Sequence, residues 1–210
     1  MQYKSKSNKA RNFGLFLLYT ITILVPVGGL AGLYCYYQKQ LDDIPQARII
    51  VVSKQDMRLR VYDFKGTKLM DYGIACGRNM GQKHKTGDLK TPEGMFFVQT
   101  IEDASDRTHD FGDGRGEIQG AYGPYFIRLD TPGSKGIGIH GTHDPLSIGT
   151  RATEGCIRLN NNDLAELVSI VKPGMMVLVT PSFQDYEQEQ RYIGNRRDSV
   201  RQVLNRSAKI

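Results

Sequence analysis

Arg48-Ile49-Ile50-Val51-Val52-Ser53, then Lys54-Gln55-Asp56, then Met57-Arg58-Leu59-Arg60-Val61-Tyr62 is the stretch that decides the fold class. The first run is β-branched at four consecutive positions. The second alternates, with Met57, Leu59 and Val61 on one face and Arg58 and Arg60 on the other. Period-two alternation marks a strand with one buried face, and a short polar turn between two such runs predicts a hairpin. Lys68–Ile74 predicts a third strand after the turn at Lys65–Gly66. Met95–Ile101, Tyr125–Leu129, Ile137–His140 and Met175–Thr180 predict four more. One helix is predicted over Asp163–Val171, capped by Asn162, with Leu164, Leu167, Ile170 and Val171 at helical spacing and Pro173-Gly174 as its stop. Many strands and one short helix predict a mainly β fold, a sandwich or barrel.

The chain of 210 residues suits one such domain plus extras. Apolar residues at 40% and charged residues at 24% exclude a mostly disordered chain, and 23 glycines without a three-residue period exclude a collagen-like one. The net charge of +6 favours an anionic partner. No internal repeat is present.

The N-terminus sets an expected compartment. Lys4, Lys6, Lys9 and Arg11 give residues 1–12 a basic head, and residues 13–37 follow without one charge. A helix of that length spans about 37 Å, enough for a hydrocarbon core of about 30 Å. Tyr34, Tyr36 and Tyr37 stand at its far end, where aromatic rings favour the interface. The expectation is a transmembrane signal anchor at 13–37, kinked at Pro26, with the N-terminus cytoplasmic and everything beyond the linker 38–46 outside. The competing reading is a cleaved signal peptide using the small residues Gly29 and Ala31. A lipoprotein at Cys35 is disfavoured by the bulky Tyr34 before it. Nucleic acid is excluded as a partner because the anchor puts the domain on the wrong side of the membrane.

Two stretches read as loops, Gly77–Gly94 and Glu102–Gly123. The second contains Asp110-Phe111-Gly112-Asp113-Gly114-Arg115-Gly116-Glu117. Gly112 breaks the alternate oxygen ligands a calcium loop needs, no other kinase part accompanies Asp-Phe-Gly, and the glycines and lysines of 77–90 lack Walker spacing. A mobile surface loop is the reading. The tail 182–210 is polar and basic. It is expected as a solvated tail or a loose amphipathic helix, with an anionic wall polymer or lipid headgroups as candidate partners.

The chemistry concentrates in Ile139-His140-Gly141-Thr142 and Ala152-Thr153-Glu154-Gly155-Cys156-Ile157-Arg158-Leu159. A cysteine needs a base to act as a nucleophile at neutral pH, and a histidine can supply it. Gly155 allows a sharp turn before Cys156, and the amides of Gly155 and Cys156 can face a developing oxyanion. Arg158 shares a face with Cys156 on an extended segment and offers a fixed cation. Two rivals stand beside this. A zinc hydrolase would use His140, His143 and Asp144 with His84 or His109, but the His-Glu-x-x-His pattern is absent. A non-catalytic wall-binding module would use the basic charge alone.

The string His140-Gly141-Thr142, a spacer, then Thr153-Glu154-Gly155-Cys156-Ile157-Arg158-Leu159 resembles the signature of the YkuD-type L,D-transpeptidase catalytic domain. Thr91-Pro92-Glu93-Gly94 resembles that family's Thr-Pro-x-Gly turn, and Asn160-Asn161-Asn162-Asp163-Leu164 its helix start. The resemblance covers about residues 47–181. It implies a YkuD-like β-sandwich with one short helix after the catalytic cysteine. It implies Cys156 as nucleophile and His140 as general base, with the Gly141 carbonyl orienting the imidazole. Gly155 and Cys156 would supply oxyanion amides, and Arg158 would orient the site or the stem-peptide carboxylate. Thr142, Thr153 and Glu154 are substrate-binding candidates; no metal or cofactor is implied. Glu154 stands where some members have a second histidine. The implied substrate is a peptidoglycan tetrapeptide stem. It loses D-Ala to a Cys thioester and passes to an amine as a 3–3 cross-link, or to water in an L,D-carboxypeptidase. Carbapenem acylation is a family expectation, and the Glu102–Gly123 loop is a candidate lid. Cys76 is expected as a buried packing residue, or as a disulfide partner that would silence Cys156.

Overall fold

The structure, a computed structural model, describes residues 25–37, 48–112 and 114–207. Residues 25–37 form a helix, α1. Among the described residues no helix is long and apolar enough to cross a membrane. The head 1–12, residues 13–24 of the expected span and the linker 38–46 lie outside the described residues.

From Arg48 onward the chain is mainly β. The opening hairpin forms as read: β1 (Arg48–Ser53) pairs antiparallel with β2 (Arg58–Asp63), placing Ile50 opposite Val61 and Val52 opposite Leu59. Then follow β3 (Lys68–Gly73), β4 (Cys76–Gly77), β5 (Gly94–Asp103), β6 (Thr108–Asp110) and β7 (Glu117–Gln119). After them come β8 (Tyr125–Asp130), β9 (Gly138–His140), β10 (Arg151–Thr153), β11 (Ile157–Arg158), α2 (Asn161–Val168), β12 (Met176–Thr180) and α3 (Phe183–Ser207).

The expected sandwich is corrected by the topology. One eight-stranded sheet runs β11-β9-β8-β5-β12-β1-β2-β3, with small two-stranded sheets β10-β4 and β6-β7. Pairs β1–β12 and β9–β11 are parallel and the other neighbours in the large sheet antiparallel. The sheet curls until its edges meet. The chain leaves edge strand β3 through Ile74, and Ala75 then exchanges both backbone bonds with Arg158 of the opposite edge, at 2.8 and 2.9 Å. Closure satisfies edge groups that an open sheet would leave to solvent. The single sheet therefore wraps its own core. Ile50, Val52, Leu59, Val61, Val177 and Val179 point inward, and α2 adds Leu164 and Leu167, both fully buried. Each such side chain contributes about 1.5–3 kcal/mol by leaving water.

The helices also depart from expectation. α2 starts at Asn161, two residues before the predicted Asp163, and ends at Val168. Asn162 is not its cap; Asn160 holds that position without a side-chain bond, and the Asn161 side chain is turned to Thr142. Ile170 and Val171 pack against the core from the closing turn. The tail is a continuous helix of 25 residues rather than a loose one, so the fold has more than one helix after the cysteine. Its start is a capping box: the Asp185 amide donates to Ser182 Oγ at 3.1 Å and the Ser182 amide donates to Asp185 Oδ2 at 2.9 Å.

Asp185 does more than cap. Its carboxylate is fully buried, accepts the Gly81 amide at 2.7 Å, and pairs with Arg151 of β10 at 2.6 Å and with Lys54 at 3.2 Å. Lys54 is itself buried and pairs with Glu93 at 2.6 Å. Burial alone would raise the Asp185 pKa; bonds from Ser182 and Gly81 and the Lys54 charge override it and hold it down at about 2. This network ties the β1–β2 turn, the 77–94 loop and β10 to α3. Asp185→Ala leaves Arg151 without its carboxylate and Lys54 with Glu93 alone, so it is expected to lower unfolding free energy by about 3 kcal/mol. Urea denaturation checks this; a change within about 0.5 kcal/mol contradicts it.

Candidate active site

The parallel pairing of β9 and β11 builds the site. Ile157 lies opposite Ile139 and Arg158 opposite His140, and the Leu159 amide donates to the His140 carbonyl at 2.8 Å. Cys156, one residue before β11, therefore falls beside Gly138. His140 lies two residues further along the same strand, on the same face. Two groups distant in sequence are thus brought to one face by backbone register. The Cys156 thiol donates to the Gly136 carbonyl at 3.4 Å, and the Gly138 amide hydrogen-bonds to the sulfur. Gly138 leaves no room for a side chain: a Cβ would strike the Phe126 ring and stand 2.6 Å from the Ile127 carbonyl oxygen.

His140 is buried, and its Nδ1 lies 2.7 Å from the Gly141 carbonyl oxygen. A carbonyl only accepts, so Nδ1 carries the proton and Nε2 is left with the basic lone pair. The Gly141 amide in turn donates to the Tyr122 carbonyl at 2.7 Å. The Tyr122 ring meets the imidazole edge-on with centroids 4.9 Å apart, and Phe126 stacks parallel at 5.8 Å. Asn161 fixes the next residue from both sides, accepting the Thr142 amide at 2.7 Å and donating to its carbonyl at 3.1 Å.

Burial sets the protonation state. It pushes the His140 imidazole down to about 3 against the opposing Gly141 bond, with Arg158, His109 and His143 adding to the depression. Burial also pushes the Cys156 thiol up to about 11, outweighing the Gly138 amide and the nearby Lys83 and Arg158 charges. The resting pair is a neutral thiol and a neutral imidazole.

The turn into Cys156 is held by Thr153. Its hydroxyl donates to the Cys156 carbonyl at 2.6 Å and accepts the Gly155 amide at 3.2 Å. That bond occupies the Gly155 amide within the turn. Gly155 has φ +140°, and a Cβ there would stand 2.7 Å from the Lys90 carbonyl oxygen, so the position requires glycine. Thr153 and Thr142 are both buried, and the Thr142 hydroxyl accepts the Asp144 amide at 2.8 Å. Both hydroxyls thus hold local turns. Glu154 meets His109 at 3.2 Å. Arg158 is buried and donates to Ser147 Oγ at 3.0 Å, while its Nε has no partner.

The loop expected over Glu102–Gly123 contains the hairpin β6–β7. Its Phe111 stacks on His143 at 5.2 Å and lies under the Arg158 guanidinium at 5.6 Å; His109 packs on Tyr122 at 5.6 Å. Tyr122, Phe126, Gly138 and Asn161 were not singled out from sequence. Asn161 enters the sequence reading only as part of the helix start.

The rivals fare differently. The histidines of the zinc reading are engaged elsewhere: His84 stacks on Tyr192, His109 meets Glu154 and His140 is bound to Gly141. Among the described residues no group of three or more His, Cys, Asp and Glu converges. The Cys76–Cys156 disulfide is not formed. Cys76 is free and buried, with its sulfur 3.8 Å from that of Met57.

The L,D-transpeptidase catalytic domain (YkuD) matches residues 47–179. Over 140 residues the chain is 34% identical to the L,D-transpeptidase named YkuD of Bacillus licheniformis, covering 67% of this chain and 68% of that one. Over 119 residues it is 32% identical to the L,D-transpeptidase named YqjB of Bacillus subtilis, covering 56% and 62%. The solved structure of Pgp2, a helical cell shape determining protein of Campylobacter jejuni, is 29% identical with a TM-score of 0.47, covering 65% of this chain and 48% of its own. The chain thus spans about half to two thirds of the length of these relatives.

A depressed histidine stabilises the fold only above its unfolded pKa. As pH falls below about 6.5 the unfolded chain takes a proton that folded His140 refuses, costing up to about 1.4 kcal/mol per pH unit. His140→Gln is expected to lose less stability than the wild type between pH 7 and about pH 5. Urea unfolding of both proteins checks this; equal acid losses contradict it.

Proposed function

Because the chain belongs to the YkuD L,D-transpeptidase catalytic-domain family, we propose that it performs acyl transfer on a peptidoglycan stem peptide with Cys156 as nucleophile and His140 as general base. The observation that carries this is the β9–β11 register, which sets Cys156 and His140 on one face. The Cys156 sulfur attacks the carbonyl carbon of the third stem residue while its proton passes to His140 Nε2. The carbonyl electrons move to oxygen, where the Cys156 amide is the remaining candidate donor. Collapse breaks the bond to D-Ala, which leaves as an amine after taking the proton from His140. A thioester remains. Attack by an amine of a neighbouring stem gives a 3–3 cross-link and frees the thiol; attack by water makes the same enzyme an L,D-carboxypeptidase.

Arg158 supplies the reading with a carboxylate site. Its Nε is buried without a partner, a costly state that an anionic group of the stem would relieve. The β6–β7 hairpin supplies cover, through Phe111 against Arg158 and His143. From the sequence, the charge-free run 13–37 behind a basic head supports a single-pass anchor with the N-terminus cytoplasmic and the catalytic domain outside.

Incubation with a tetrapeptide stem or a carbapenem, read by intact mass, is expected to show a covalent adduct that Cys156→Ala abolishes. No adduct on the folded, reduced wild type contradicts the reading and leaves a wall-binding role. Phe111→Ala opens the cover, so hydrolysis is expected to rise relative to cross-linking when both products are quantified; an unchanged ratio contradicts the cover.

A further inference from the structure

α3 extends past the contacts that hold it. Asp185 is in the buried network, Glu189 meets His84 at 3.0 Å, and Tyr192 stacks on His84 at 4.3 Å. From Ile193 onward, among the described residues, no hydrogen bond, salt bridge or ring contact ties the helix to the rest of the protein. This free part is about 22 Å long at the usual helical rise. A helix of that length is marginal in water without packing, so it calls for a partner surface.

Its pattern describes that surface. At about 100° per residue, Ile193, Val200 and Leu204 fall in one narrow stripe. Ile193 at the head of the stripe is half-buried, but Val200 is 54% and Leu204 63% exposed, so its far part is uncovered. Arg197 and Arg201 flank it on one side and Arg196 on the other, while Asn195, Asp198 and Gln202 lie opposite. Apolar residues bordered on both sides by arginine suit a helix lying in a membrane interface, its stripe in the acyl boundary and its guanidinium groups at anionic headgroups.

We propose that the free half of α3 binds the surface of a bilayer containing anionic phospholipid. A hydrophilic wall polyanion would match the arginines and leave Val200 and Leu204 in water. A second copy of the helix would need apolar residues at the intervening heptad positions, where Glu189 and Arg196 stand. An anionic bilayer accommodates stripe and flanks together. This site is separate from Cys156 and does not rest on the catalytic reading.

The chain contains no tryptophan, so Leu204→Trp places a single indole on the stripe. The whole chain carrying that substitution is reconstituted into vesicles whose acyl chains bear bromine, made of phosphatidylcholine alone or with phosphatidylglycerol. Because the reporter is in α3, insertion of residues 13–37 does not produce the signal. The expected result is quenching and a blue shift in the phosphatidylglycerol vesicles, little of either in phosphatidylcholine, and loss at high salt. Replacing Arg196, Arg197 and Arg201 together by Gln is expected to weaken α3 partitioning roughly a hundredfold. An indole unquenched in both vesicles overturns the proposal. So does a blue shift that follows protein concentration rather than lipid charge, which assigns the stripe to a second copy. A shift produced by a soluble wall polyanion without bromine quenching overturns it in favour of the polymer.

Discussion

Two backbone hydrogen bonds between Ala75 and Arg158 close the curled sheet, and the site depends on that closure. β11 is only two residues long, too short to persist as an edge strand. It persists because β9 holds it on one side and Ala75 on the other. The same closure sets β4 against β10, the strand that leads into the cysteine turn. Backbone approach is close throughout. Gly138 abuts Phe126 and the β8 carbonyls, Gly155 abuts Lys90, and Gly141 abuts Gly123 and Asn161. A Cβ at any of the three would displace the chain carrying Cys156 or His140.

The electrostatics follow from that packing. A thiolate and an imidazolium would attract each other, but the buried imidazolium would first lose its hydration and the half-buried thiolate part of its own. Desolvation dominates here, raising the thiol and lowering the imidazole until the proton rests on sulfur. In the proposed mechanism charge develops only as substrate is attacked, with Lys83 and Arg158 as the nearby cations. Interactions stronger in the transition state than in the resting enzyme are the ones that accelerate chemistry. The Gly141 carbonyl keeps Nε2 as the proton acceptor throughout.

Local patterns were legible in the sequence, and contacts between distant segments were not. Alternation in 57–62 and the β-branched run 48–53 identified β1 and β2, since side-chain period reports burial directly. Closure of the sheet was invisible because Ala75 and Arg158 meet through backbone atoms alone. The tail reads as a solvated or loosely helical segment because its sequence is polar, and its docked start was not legible. Its capping box at Ser182–Asp185 is a local signal, but the partners that bury Asp185 come from Lys54, Gly81 and Arg151. At the site, motif order singled out Cys156 and His140, which the β9–β11 register sets on one face. It carried no sign that the Thr142 and Thr153 hydroxyls are buried in local turns, because those bonds run to backbone atoms.

The resting neutral pair is tested most directly by thiolate ultraviolet absorbance, followed from acid to alkaline pH in the wild type and in Cys156→Ala. The account predicts that the difference between them stays flat through neutral pH and rises only well above the free-cysteine value of about 8.5. A thiolate step below pH 7 that Cys156→Ala and His140→Gln both remove would mean a preformed ion pair, and would contradict it.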